Sequence, residues 1–161
     1  MNRSERAKEN FMRGYNCAQS VFLAFSDILP IGERDALKIS APFGGGVGRM
    51  REICGTVSAM MMVCGMLFYD AEHVTLEEKS ALYAREQELA RRFREKNGTI
   101  ICRELLRGVE ADSSPNAEAR TEQYYKKRPC ADLCAEAAGI LEEYLAEQGV
   151  LPAAGGEGGR R

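Results

Sequence analysis

Six cysteines stand against a single histidine, His73, in a chain of 161 residues. The thiolate is the form of cysteine that ligates metal or attacks a disulfide, so this imbalance points to sulfur chemistry. One histidine excludes any site built on several imidazoles, and no hydrolase or transferase constellation is present. No Cys-x-x-Cys pair occurs, which removes the zinc ribbon and the thioredoxin motif. Bacterial ferredoxin spacing is absent as well. A sulfur site in this chain must therefore be assembled from distant segments.

The elements that would do the assembling read as helices. Ser4 is placed to cap a charged helix running to about residue 14, where Gly14 stops it. Asn16 and Gln19 form a capping-box-like start for a helix over 17–28. Pro30 and Gly32 break it, and a short helix over 33–40 precedes Pro42. An apolar helix is expected over 52–68, and Thr75 with Glu78 opens a long amphipathic one over 75–96 striped by Leu82, Leu89 and Phe93. Shorter helices follow over 99–106 and 118–127, and Pro129 suits the first turn of a last helix over 129–148. Strand alternation and internal repeats are not seen. The expectation is an all-α chain: a single compact domain of five to seven helices over residues 1–149, and a Gly-rich disordered tail over 150–161.

On this map Cys17, Cys54, Cys102 and Cys130 each fall at or near the start of a different helix. Free N–H groups and the positive end of the helix dipole stabilise a thiolate there, so lowered thiol pKa values are expected at these four positions. Cys64 sits mid-helix among Met61, Val63 and Met66 and reads as core filler. Cys134, one turn after Cys130, either faces the same site or packs. Gly44, Gly45, Gly46 and Gly48 form a loop just ahead of Cys54, and Gly55 follows that cysteine. These five glycines are candidates to bring backbone close to a bound group. The loop lacks the lysine and hydroxyl of a phosphate loop. Arg49 and Arg51 add positive charge beside it. The consecutive Met60, Met61 and Met62 point in three directions round a helix and read as flexible core rather than soft-metal ligands. Glu77, Glu78, Arg91 and Arg92 read as solvated surface.

Composition bounds the rest. Hydrophobic residues make up 45% and charged residues 29%, with a net charge of −2. This is a globular composition with no basic footprint for nucleic acid. The charged N-terminus is not a secretory signal, so a reducing, cytoplasmic setting is expected. Residues 53–69 are uncharged, but as a helix they span about 26 Å, short of the roughly 30 Å hydrocarbon core. They read as a buried central helix, with no membrane association. Amphipathic helices also make a homodimer an expectation.

Several short words resemble the redox-active family named C_GCAxxG_C_C. They are Asn16-Cys17-Ala18-Gln19, Phe43-Gly44-Gly45-Gly46 with Gly48-Arg49, Cys54-Gly55, and Cys102-Arg103-Glu104-Leu105-Leu106. The stretch from Cys130 through Ala137-Ala138 to Ile140-Leu141-Glu142 fits the end of the pattern. The resemblance covers roughly residues 11–145 and implies that Cys17, Cys54, Cys102 and Cys130 are the redox-active set. It departs from the pattern where Cys54-Gly55-Thr56-Val57-Ser58-Ala59 puts Thr56 and Ala59 in place of Ala and Gly. Three functions stay open. The leading one is an electron-transfer protein whose four thiolates bind an iron–sulfur cluster, [2Fe–2S], and which works with a redox partner protein. The others are a metal-free dithiol–disulfide exchange protein and a zinc-stabilised helical interaction module.

Overall fold

The computed structural model describes residues 1–153. Eight α-helices lie in chain order among them: α1 Arg3–Met12, α2 Cys17–Leu23, α3 Glu33–Ser40, α4 Gly55–Phe68, α5 Leu76–Asn97, α6 Cys102–Leu105, α7 Glu122–Lys127 and α8 Cys130–Glu147. The all-α expectation holds. The count is eight rather than five to seven, and α6 and α7, expected over 99–106 and 118–127, are only four and six residues long. Among the described residues no strand is longer than one bridged pair, Ile53 with Ile101. The tail expected over 150–161 begins within the described chain: Val150 and Leu151 both donate to the Leu145 carbonyl, and Leu151 rests on the core. Residues 154–161 lie outside the described residues.

Helix starts follow the sequence signals closely. Asn16 and Gln19 cap each other reciprocally at α2, and Thr75 Oγ1 accepts from the Glu78 N–H at α5. The first helix differs: Asn2, not Ser4, is its cap, with Glu5 completing the box. Asn is as good an N-cap as Ser and here has the acidic residue three positions on. Helix α5 closes on Gly98 at φ 81°, where left-handed backbone favours glycine.

Packing places α4 at the centre. It is apolar on every side, as buried helices are, and Val57, Ala59, Met60, Val63 and Cys64 are fully enclosed. Phe22 and Phe25 come from the α2 segment, Leu89 and Phe93 from α5, and Leu141 and Leu145 from α8. Helices α1 and α8 lie against each other, with α5 covering α4 and α8. The apolar run expected to be a buried helix is that helix; no described helix is long and apolar enough to cross a membrane. Met60 fills core, whereas Met66 is exposed. His73 is on the surface, 2.6 Å from Asp70.

One segment departs from expectation in a way that matters. Residues 52–54 are not the first turn of α4 but an extended piece paired with residues 100–102. Cys54 N–H donates to Ile100 O at 2.8 Å, and Cys102 N–H donates to Glu52 O at 2.6 Å. Ile53 is partly buried against the core, and side chains alternate sides in such a ladder. Cys54 and Cys102 therefore share the face opposite Ile53 and Ile101.

Candidate functional site

Cys17, Cys54, Cys102 and Cys130 line one cavity of about 50 Å³. Each occupies a helix start. Cys17, Cys102 and Cys130 are the first residues of α2, α6 and α8, and Cys54 is the N-cap of α4. The short ladder between 52–54 and 100–102 fixes two of them. The capping box of Asn16 and Gln19 fixes a third, with Asn16 Nδ2 also donating to Ala41 O at 2.9 Å. Pro129 introduces the fourth. Cys134 is buried behind the cavity, its Sγ 3.9 Å from Cys17 O. Cys64 lies in the core, away from the cavity, as its mid-helix position led one to expect. All six cysteines are free thiols.

The glycines expected near a bound group act mainly by letting the cysteines approach. A methyl on Gly55 would lie 2.6 Å from Cys17 Sγ, and one on Gly46 would lie 2.6 Å from Cys102 Cβ. Gly44 packs in the same way on the Asn16 side chain, and Gly45 lines the cavity. A methyl on Gly48 would meet nothing within 4 Å. The loop winds left-handed from Gly45 to Arg49, carrying Val47 and Arg49 at φ 64° with it, and Arg51 follows at φ 61°. Such backbone costs an L-residue about 1–2 kcal/mol, most acutely a β-branched one. Its N–H groups at 47, 48, 49, 51 and 52 turn back onto carbonyls at 42–46. The loop is thus held chiefly by itself.

Of the remaining walls, the sequence marks Arg51 beside the glycine loop and Leu105 and Leu106 within a family word, and not the others. Phe11, Leu105, Leu106 and Leu133 make the cavity apolar, while Arg51, Arg120 and Arg128 bring positive charge to it. No carboxylate lines it among the described residues. Arg51 is 6% exposed; its Nε donates to Asp112 O at 2.9 Å and its Nη1 points at Cys102 Sγ, 3.9 Å away. Arg120 lies over the rings of Phe11 at 4.3 Å and Tyr124 at 4.7 Å, and Tyr124 also faces Arg128 at 4.6 Å. Thr56, the departure from the family pattern, places Oγ1 3.1 Å from Cys54 Sγ. Of the three arginines, Arg51 is the one that the sequence marks, as positive charge beside the glycine loop. Arg120 and Phe11 reach the site through tertiary packing alone.

Burial overrides the helix-start effect on the thiols. Desolvation pushes Cys54 far up, with the neighbouring Cys17 thiol adding to it, and pushes Cys130 up to about 12. Cys102 also rises by burial, although Arg51 pulls the other way. The expectation of lowered values at Cys54, Cys102 and Cys130 is therefore reversed. Burial takes the Cys54, Cys102 and Cys130 thiols away from the water that would solvate a charge, and neighbouring thiols disfavour it further. No three Cys, His, Asp or Glu side chains among the described residues are grouped as a single-ion site.

A family model described as "Putative redox-active protein (C_GCAxxG_C_C)" matches residues 15–144. The chain belongs to this family. The C_GCAxxG_C_C match spans the whole distance from the residue before the Asn16 cap to Tyr144 in α8, and so includes every cavity cysteine. No curated protein and no solved structure matches.

Proposed function

We propose that this C_GCAxxG_C_C protein is a small electron-transfer protein whose Cys17, Cys54, Cys102 and Cys130 ligate an iron–sulfur cluster, [2Fe–2S]. One observation carries the reading: four cysteines from four helix starts line a single cavity with three guanidiniums and, among the described residues, no carboxylate. Four thiolates are the usual ligand set of such clusters, and together they leave net negative charge. Arg51, Arg120 and Arg128 offset that charge, and a cation among the sulfurs displaces the thiol protons that burial otherwise holds in place. A cavity of about 50 Å³ suits a compact inorganic group, well below the roughly 300 Å³ and more of organic-ligand pockets.

Metal-free disulfide exchange is less well supported. Burial pushes the Cys54, Cys102 and Cys130 thiols up, which disfavours the thiolate, the attacking species, at these three positions. Bound, the cluster would supply one-electron transfer. The protein's part is to exclude water with Phe11, Leu105, Leu106 and Leu133, and to place the Thr56 hydroxyl at the Cys54 sulfur and Arg51 at the Cys102 sulfur. Six free thiols suit a reducing, cytoplasmic compartment, and a redox partner protein completes the assignment.

Anaerobic purification followed by iron, acid-labile sulfide and visible-absorption measurement tests this. Coloured protein with iron and sulfide in equal amounts is expected. Colourless protein after anaerobic reconstitution, or about one zinc per chain, overturns it.

A further inference from the structure

Outside the cysteine cavity lies a second, open recess of about 470 Å³. It shares Arg51, Arg120, Arg128 and Tyr124 with the cavity, and Arg49 adds a fourth guanidinium. The recess is therefore the antechamber of the sulfur site. Among the described residues its only lining carboxylate is Glu118. That carboxylate accepts from Arg49 at 2.8 Å and from Arg128 at 2.5 Å. Asp112, 3.5 Å from Arg49, sits outside the lining. Four cations against two carboxylates leave an excess of positive charge in a concave wall, which concentrates anions.

The decisive feature is Arg51. It is more than nine-tenths buried, and its Nη2 has no hydrogen-bond partner among the described residues. Its other nitrogens are turned elsewhere: Nε is spent on Asp112 O, and Nη1 faces the Cys102 sulfur. Nη2 lies 3.9 Å from Oε1 of Glu118, a residue of the recess wall, too far for a hydrogen bond. A charged donor left dry in this way is costly and marks a missing acceptor. The left-handed backbone at Arg49 and Arg51 is the kind of strain that folds retain where side chains must be held for a task.

We infer that this recess binds a small oxyanion, a carboxylate or an inorganic oxyanion, on Arg51, Arg49 and Arg128, directly beside the four sulfurs. Guanidinium forks match the paired oxygens of such groups better than any other side chain. The recess has room for a small organic acid and is too open to hold a nucleotide-sized ligand buried. Binding itself does not depend on what the thiols hold; that the anion is the substrate side of the redox centre rests on the reading above.

Calorimetric titration of reduced, metal-free protein with inorganic phosphate, and separately with succinate, tests the site. Saturable binding of at least one probe is expected, and the stronger arm identifies the class. Arg51→Gln should weaken it tenfold or more. Glu118→Gln, which removes the competing carboxylate, should tighten it several-fold, and exposed Arg91→Gln should leave it unchanged. Should Arg51→Gln not fold, Arg49→Gln carries the expected loss. Absence of saturable binding to both probes overturns the inference, as does unchanged affinity in the arginine variants or weaker binding in Glu118→Gln. Because the protein is metal-free, colourless protein that binds anions refutes only the cluster, whereas clustered protein that binds none refutes only the recess.

Discussion

Replacing Gly55 with Ala places a methyl group where the Cys17 sulfur now lies. The new Cβ would fall 2.6 Å from Cys17 Sγ, 2.6 Å from Phe43 O and 3.1 Å from Ala18 N. Two of these three neighbours are backbone atoms that cannot rotate away, so α2 or the loop before Gly44 must move. Overpacking of this kind costs typically about 1–3 kcal/mol. Against it stands the ordinary benefit of Ala over Gly in a helix, up to about 1 kcal/mol. The clash wins, and Gly55→Ala should destabilise the fold by about 1–2 kcal/mol, which for a chain of this size lowers Tm by roughly 2–8 °C. Gly65 provides the internal control. It lies in the same helix with nothing within 4 Å of its added methyl, so Gly65→Ala should stabilise by about 0.5–1 kcal/mol. Urea unfolding of the reduced proteins, followed by circular dichroism, reads both. If Gly55→Ala is as stable as Gly65→Ala, Cys17 does not sit against α4, and the convergence of the four cysteines fails with it.

Two further outcomes follow from the sulfurs' surroundings. Thr56→Ala removes a hydroxyl 3.1 Å from Cys54 Sγ; losing a hydrogen bond to sulfur should lower the centre's midpoint potential by roughly 20–60 mV. A redox titration showing no shift, or a rise, contradicts that. Burial pushes the Cys64 thiol up to about 12, above its unfolded value of about 8.5. The neutral thiol is thus favoured in the folded state, and its contribution is complete below about pH 8.5 and lost as pH climbs towards 12. Denaturant midpoints should fall over that window in the wild type, and less steeply in Cys64→Ala.

The sequence made the helices legible wherever a cap or breaker was local. Asn16 with Gln19, Thr75, Gly98 and the limits of α3 could be read directly, because a few adjacent residues determine each. Residues 52–54 could not. Their local pattern continues an apolar helix, and only pairing with residues 100–102 draws them out straight. The four cysteines were found because helix starts and family words coincide on them. The electrostatics of Cys54, Cys102 and Cys130 run opposite to the helix-start expectation, since the dipole argument is local whereas desolvation depends on Phe11, Leu105, Leu106 and Leu133 lining the cavity from elsewhere in the chain. Arg120 and Glu118 had no signal of their own, lying in a polar stretch whose role appears only when it folds over the glycine loop. The Thr56 substitution was visible as bulk but not as a hydroxyl aimed at sulfur.

The account rests on four cysteines acting as one centre while Cys64 stands apart. Iron and acid-labile sulfide per chain, measured after anaerobic reconstitution of Cys17→Ser, Cys54→Ser, Cys102→Ser, Cys130→Ser and Cys64→Ser, tests this most directly. Each of the first four should lose most of its iron and sulfide together, while Cys64→Ser keeps wild-type content. Wild-type content in any of the four, or equal loss in Cys64→Ser, would contradict the account.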